Sequence, residues 1–184
     1  MRWRRCRGWR CWRLIQLAET RWQGLAPQAA ADTRLLLLGS FPGFASLLAQ
    51  QYYGHPRNQF WRLLGQTLDL PLAECAYPDR LALLRSARVG LWDVITTTHR
   101  RGSLDSQIRA PHGSDLSGLL GQLPELRVIA FNGGTAARLG TRQLGLLALN
   151  YRIIALPSSS PAYTLPFDDK LVAWREIAVQ LNDG

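Results

Sequence analysis

The sequence is poor in the residues on which several common protein classes depend. Its three cysteines, Cys6, Cys11 and Cys75, form no C-x-x-C pair. This odd and scattered set argues against a disulfide scaffold, a zinc site and a four-cysteine iron–sulfur cluster, and it favours the reducing cytoplasm. No apolar run approaches the roughly 18 residues that a membrane span needs, and the first residues lack the apolar segment of a signal peptide. We therefore expect a soluble, cytoplasmic protein.

Motifs that mark nucleotide, hydrolase and metal sites are also missing. The turn Gly39-Ser-Phe-Pro-Gly43 fits neither G-x-G-x-x-G nor G-x-x-x-x-G-K-[ST], so it does not indicate a dinucleotide site or a P-loop. No G-x-S-x-G is present, which removes the nucleophile elbow of an α/β hydrolase. His55, His99 and His112 are too far apart in sequence to indicate a metal site. We expect neither a cofactor nor a metal ion.

The length and charge of the chain predict one mildly basic domain. Its 184 residues, 47% of them hydrophobic, suffice for a single well-buried core. The formal net charge is +9, but residues 1–24 carry seven arginines against Glu19 alone. The remaining residues hold 15 of the 22 basic and 12 of the 13 acidic side chains, a net charge of +3. Such a body suits a nucleic-acid binder that acts through one local patch.

Residues 1–24 form a basic, Arg/Trp-rich extension before a domain at residues 25–184. Four of the seven tryptophans fall in this extension. One interpretation is a disordered arm that contacts DNA. The interpretation that we prefer is a gene start assigned too far upstream, so that the folded protein begins near Thr20. Detection of intact Met1 by mass spectrometry of the native N-terminus would contradict it.

Apolar runs alternate with helical patterns along the domain. The runs at residues 34–38, 88–95, 127–131 and 151–156 are apolar nearly throughout, which is typical of parallel strands buried on both faces. Helical patterns occupy residues 58–68, 79–85, 116–123 (with Ser114 as the expected cap), 135–139 and 168–181, the last with Lys170 on its polar side. This alternation predicts an α/β fold of three αβα layers around a four-stranded parallel sheet.

Each predicted strand ends in a loop rich in small or polar residues. The first is followed by Gly39–Gly43, the second by Asp93 and residues 96–98, the third by residues 132–134 and the fourth by residues 157–161. The carboxyl ends of parallel strands meet at one edge of a sheet, where ligands of open α/β sheets bind. We expect the functional site at this edge, above all in residues 39–61.

Several segments together resemble one family. These are residues 39–43 and 51–61, Leu91-Trp-Asp-Val-Ile95, Gly102-Ser-Leu-Asp-Ser106 and Leu156-Pro-Ser-Ser-Ser-Pro-Ala162. In this order they resemble the hypoxanthine-DNA glycosylase branch of the uracil-DNA glycosylase superfamily, over residues 35–174. The resemblance implies the fold described above and the removal of a damaged base from DNA.

The resemblance implies an unusual water-positioning residue. Many superfamily members carry an Asp or Asn two residues after the first Gly of the first motif, where it orients a water toward the sugar C1′. Phe41 holds that place here. In this branch the role is thought to pass to the Asn of the His-Pro-x-Asn segment, which is Asn58. Its amide would orient and polarise the water, whereas from the residues alone Asn58 is a helix N-cap.

The same resemblance assigns a base pocket and a DNA-contacting surface. Tyr53 corresponds to the aromatic that stacks on the flipped base, although core packing is the alternative for its ring. Asp93 falls where a polar residue reads the base, or it braces its loop. The implied pocket comprises Gly39, Ser40, Phe41, Pro42, Gly43, Tyr53 and Asp93. The implied DNA-binding residues are His55, Arg57, Ser158, Ser159 and Ser160, and Leu156 stands where some relatives have a leaving-group His.

Together these residues predict a DNA glycosylase that flips a deaminated base, hypoxanthine or uracil, and hydrolyses its N-glycosidic bond in base excision repair. Lys170 is the only lysine, and a lyase reaction ordinarily needs an amine. We therefore expect a monofunctional, monomeric enzyme that acts on double-stranded DNA, and on single strands as a second possibility. The alternatives are a catalytically inactive nucleic-acid-binding module, suggested by the apolar Phe41 and Leu156, and an unrelated hydrolase that uses a serine of residues 158–160.

Overall fold

The computed structural model describes residues 21–99 and 103–182. In chain order its elements are β1 Arg21–Gln23, β2 Leu35–Gly39, α1 Phe44–Ala49, α2 Phe60–Leu68, α3 Tyr77–Ser86, β3 Val89–Asp93, β4 Ile95–His99, β5 Arg109–Gly113, α4 Leu116–Leu120, β6 Val128–Asn132, α5 Gly134–Leu144, β7 Arg152–Leu156, α6 Phe167–Trp174 and α7 Glu176–Asn182. Short 3₁₀ turns occupy Asp105–Gln107 and Gly145–Asn150.

Four strands form the central parallel sheet, in the order β3-β2-β6-β7. The middle strand β2 is buried along its whole length, because the sheet is covered on both sides. Alternate side chains of a strand point to opposite faces, so Leu35 and Leu37 enter one core with Phe60 and Trp174. Leu36 and Leu38 enter the other core, with residues of α4 and α5. The predicted three-layer fold with a four-stranded parallel sheet is confirmed.

A second, antiparallel sheet joins the fold beside the first. It has the order β1-β4-β5. The strand predicted at residues 88–95 ends at Asp93, and after Val94 the chain continues into β4, which pairs with β1 and β5. Residues 21–23, predicted to belong to the N-terminal extension, form β1; residues 1–20 lie outside the described part of the chain. The sequence gave little sign of this sheet because β5 is exposed along its whole length.

Several helix predictions need correction. The cap of α4 is Asp115, whose carboxylate accepts from the Gly118 N–H, whereas Ser114 donates its hydroxyl to the Asp93 carbonyl. Helix α1 was not predicted, α5 extends to Leu144, and the predicted last helix is divided at Arg175. No helix in the described ranges is long and apolar enough to cross a membrane.

Lys170 is the largest correction among the side chains. The helical pattern places it on a polar, solvent-facing side of the last helix, but the residue is only 1% exposed in α6. Its ammonium donates to Gln59 Oε1 and to the Tyr163 carbonyl, at 2.8 Å each. Burial alone lowers the pKa of this amine. A periodic pattern cannot reveal such a contact, because both acceptors come from other parts of the chain.

Candidate active site

A cavity of about 510 Å³ opens at the carboxyl edge of the parallel sheet. Loops that follow all four parallel strands contribute to its wall, as the topology requires. All thirteen residues predicted as site residues line it: Asn58, Gly39, Ser40, Phe41, Pro42, Gly43, Tyr53, Asp93, His55, Arg57, Ser158, Ser159 and Ser160. The volume is in the range of about 300–1,000 Å³ typical of small-molecule pockets.

Gly39 allows two polar groups to meet at the floor of the cavity. A Cβ at this position would lie 2.3 Å from Asp93 Oδ1 and 3.1 Å from the Tyr53 hydroxyl oxygen. Such distances are far inside van der Waals contact, so any side chain here would displace the carboxylate. The glycine at the end of β2 is therefore a requirement of close approach.

Tyr53 stands between the cavity and the core. Its ring stacks on Phe60, with centroids 3.5 Å apart and planes 11° apart. The backbone of Tyr53 is in the left-handed region (φ 54°), which is rare for an aromatic residue and is often found at functional sites. Burial, and then the negative charge of Asp93, raise the pKa of the Tyr53 phenol far above its usual range, so the hydroxyl remains protonated.

Asp93 supplies the buried negative charge of the site. It ends β3, directly beside Gly39 of β2, and only 4% of its surface is exposed. Its backbone carbonyl accepts from the Ser114 hydroxyl, which fixes the strand end. Desolvation first and the Asp93 carboxylate second also raise the pKa of Tyr52. The carboxylate therefore acts on two neighbouring phenols from one fixed position.

Asn58 lies at the start of α2, in a turn closed by its N–H bond to the His55 carbonyl (2.8 Å). Its Oδ1 accepts from the Phe60 N–H at 2.9 Å, so the side chain stabilises the start of the helix while it also lines the cavity. A carbonyl oxygen has two lone pairs. Helix capping and a contact to a water in the cavity are therefore compatible.

Asn132 is a cavity residue that the sequence alone did not single out for a role. Its side chain is held at both atoms by one residue: Nδ2 donates to Ser159 Oγ (2.8 Å), and the Ser159 N–H donates to Oδ1 (2.9 Å). Ser159 is itself fully buried. The signal in the sequence was the position of Asn132 at a strand end, before Gly133 and Gly134.

Residues 103–107, which we call the strap, close the cavity from the side of the second sheet. Ser103 Oγ accepts from the Phe44 N–H at 3.0 Å, and Asp105 Oδ1 accepts from the Ser40 hydroxyl at 2.7 Å. These bonds tie the strap to the loop after β2. The only sequence signal for it was its place within the Gly102–Ser106 segment of the family resemblance.

Comparison with known proteins assigns this arrangement to a family. The family model described as "Uracil DNA glycosylase superfamily" matches residues 26–178. The chain belongs to this superfamily. The predicted family is thereby confirmed, and the chain is a DNA glycosylase, a hydrolase that acts on N-glycosyl bonds.

Similar proteins include two archaeal members of this superfamily. A hypoxanthine DNA glycosylase of Methanosarcina acetivorans is 44% identical over 131 residues, which cover 71% of this chain and 81% of the relative. A hypoxanthine DNA glycosylase of Methanosarcina barkeri is 36% identical over 154 residues, which cover 84% and 96%. A solution NMR structure of a candidate uracil DNA glycosylase from M. acetivorans superposes with a TM-score of 0.78 at 37% identity, covering 89% of this chain and 99% of that one.

The rim of this glycosylase's cavity carries the polar groups suited to a nucleic-acid backbone. Arg57 is exposed, and its backbone N–H donates to His55 Nδ1 (3.1 Å). Ser158 and Ser160 are partly exposed on the opposite side, while Ser159 points inward. Phe41 and Leu156, at places where relatives carry polar groups, are buried in the two cores. Within residues 21–99 and 103–182, no three His, Cys, Asp or Glu side chains are grouped as metal ligands.

Proposed function

We propose that this glycosylase removes hypoxanthine from double-stranded DNA as a monomer, with uracil as a second substrate, and leaves an abasic site for base excision repair. The observation that supports this most is the convergence of Tyr53, Asp93, Asn58 and Asn132 on one cavity. The names of the two Methanosarcina relatives favour hypoxanthine. A base must leave the duplex to reach such a cavity.

The flipped base stacks on Tyr53 in this proposal. One face of the Tyr53 ring is covered by Phe60, and the residue lines the cavity. An aromatic platform of this kind accepts different bases because every base has a π-face. Stacking therefore holds the base without selecting it, and selection falls to polar groups at its edge.

Asp93 and Asn132 read the edge of the base. Hypoxanthine presents an N1–H donor beside the O6 acceptor. The Asp93 carboxylate accepts from such an N–H, and the Asn132 amide, with its orientation fixed by Ser159, has a second N–H to donate to O6. Uracil presents the same pattern with N3–H and O4, which is the reason for including it.

Asn58 positions the water that attacks C1′. Its Oδ1 already accepts one hydrogen bond from Phe60 N–H, so the amide is held in one orientation. The remaining lone pair polarises the water as positive charge develops on the sugar. A positioned group of this type typically contributes about 10²–10⁴-fold to the rate.

The reaction stops at base release because the chain offers no amine at the site. Lys170 is the only lysine, and its amine is buried against Gln59 and Tyr163. A Schiff base with the sugar would require α6 to separate from these partners. We therefore propose hydrolysis without strand cleavage.

An oligonucleotide panel tests the proposal. Each strand carries one hypoxanthine, uracil or xanthine, alone or in a duplex, and is incubated with the protein and then treated with alkali. We expect strand cleavage after alkali only, fastest for hypoxanthine, and no covalent complex on borohydride reduction. Binding without base release from any strand would favour the inactive binding module.

Variants at Asn58 separate catalysis from helix capping. Asn58→Ser keeps a capping oxygen but removes the amide, so we expect near-native thermal stability and a rate lower by about 100-fold or more. Asn150→Ala, an exposed position away from the cavity lining, serves as the control and should retain full activity. Full activity of Asn58→Ser would overturn the assignment.

A further inference from the structure

Three large, exposed apolar side chains line the cavity: Phe44, Leu104 and Tyr163, each about half exposed. Single exposed apolar residues are common on protein surfaces. These three differ in how they are held. Phe44 packs edge-to-face against Trp22 (5.6 Å between centroids), and the Tyr163 ring lies 5.4 Å from the Lys170 ammonium, which also binds its carbonyl. Both rings are thus engaged with neighbouring protein groups.

Leu104 instead stands on a fixed backbone between two anchored neighbours. Ser103 and Asp105 bind the Phe44 N–H and the Ser40 hydroxyl. Behind them the Arg109 guanidinium donates to the carbonyls of Ser106 (2.9 Å) and Ile108 (3.0 Å). The Gln107 N–H closes the 3₁₀ turn by donating to the Leu104 carbonyl at 3.0 Å. The strap therefore presents an aliphatic side chain at the cavity mouth on a support tied at both ends.

We propose that Leu104 enters the duplex and occupies the space left by the flipped nucleotide; this rests on the proposed function. Apolar side chains that insert between base steps unstack them and offset the lost stacking. Because the strap is bonded to the loop that forms the base pocket, insertion of Leu104 and entry of the base occur at a fixed separation. Leu104 is thus specific to duplex substrates, since a single strand leaves no stacked space to fill.

The test compares Leu104→Ala with the wild type on hypoxanthine in a duplex and in the identical single strand, under single-turnover conditions. We expect the duplex rate to fall about tenfold or more, given the cost of unstacking, and the single-strand rate to change less than about twofold. Leu104→Met should restore duplex activity. Leu48→Ala, at an exposed position of α1 that does not line the cavity, should leave both rates unchanged.

A second readout does not depend on excision. 2-Aminopurine placed beside the target base becomes fluorescent when its stacking is broken, and we expect this signal with the wild type and not with Leu104→Ala. Equal loss on both substrates, no loss, or a duplex-specific loss for Tyr163→Ala in place of Leu104→Ala would overturn the proposal. If the wild type released no base at all, the proposed function would fail, and the fluorescence comparison would still decide the role of Leu104.

Discussion

The ring of Tyr53 lies flat on the ring of Phe60, with 3.5 Å between the centroids. Phe60 is fully buried at the start of α2, whereas Tyr53 is partly exposed at the cavity. The pair therefore carries the packing of the core up to the surface on which a base would stack. Tyr53 reaches this position through a left-handed backbone, which an aromatic residue adopts only when its surroundings hold it there.

Replacement of Tyr53 by Ala should slow excision and leave binding to the DNA backbone largely intact. Stacking is worth about 1–3 kcal/mol per base, so we expect the single-turnover rate to fall roughly 5- to 150-fold. Tyr53→Phe keeps the ring and should remain within about threefold of the wild type, because stacking does not use the hydroxyl. A Tyr53→Ala enzyme with native rates would show that the ring only fills the core.

Gly39→Ala should disable the site, because the new methyl group would occupy the place of the Asp93 carboxylate. We expect a destabilisation of about 1–3 kcal/mol together with a loss of excision that exceeds it in effect. Gly134→Ala is the matched control, since a Cβ there meets nothing within 4 Å. Urea unfolding and single-turnover rates measure both variants. Equal behaviour of the two would contradict the close packing of Gly39 and Asp93.

Ser159→Ala should reduce stability more than DNA affinity. The substitution leaves the Asn132 Nδ2 group buried without its Ser159 acceptor, at a cost of about 1–3 kcal/mol. Ser117→Ala, on the exposed side of α4, should change the free energy of unfolding by less than about 0.5 kcal/mol.

Binding of a duplex, measured at several salt concentrations, gives the complementary readout. Ser158→Ala and Ser160→Ala should weaken binding, because these serines are partly exposed at the rim. A Ser159→Ala variant with native stability and weakened binding would place that side chain at the phosphates instead.

Tyr52→Phe should make the protein less sensitive to alkali. The phenol of Tyr52 has a raised pKa in the folded protein but ionises near 10.0 when unfolded. Its contribution to stability is therefore complete below pH 10 and is lost as pH rises further. We expect the free energy of unfolding to fall less steeply above pH 10 in the variant. At neutral pH the variant should be less stable by about 0.5–1.5 kcal/mol, because the Tyr52 hydroxyl donates to backbone carbonyls of Leu25 and Ala26.

Urea unfolding at a series of pH values, with phenolate absorbance followed in parallel, measures this difference. Parallel pH profiles for the wild type and Tyr52→Phe would contradict the buried position of the phenol. The absorbance also tests whether ionisation accompanies unfolding, as the burial of Tyr52 requires.

The parallel sheet was predictable because its strands are buried on both faces and their sequences are apolar without interruption. Leu35–Leu38, all fully buried, is the clearest case. The small antiparallel sheet was not predictable, since β5 carries no apolar alternation and owes its pairing to β4. The bend after Asp93 was missed for a related reason: Val94 and Ile95 are as apolar as the strand that precedes them.

The cavity residues were predictable where a strand end or a family segment pointed to them, as for Asp93 and Asn58. Contacts between distant side chains were not. Nothing local in the sequence indicates that Asn132 is locked by Ser159, or that Asp105 binds Ser40 across 65 positions. These pairs exist because the sheet brings separate loops to one edge.

The burial of Lys170 makes its amine a chemical reporter of motion. The side chain joins α6 to Gln59 beside Asn58 and to the loop that carries Ser158 and Ser160. An acylating reagent can reach this amine only while those contacts are open. The rate at which Lys170 is labelled therefore measures how often the two walls of the cavity separate, and DNA that clamps them together should slow the labelling.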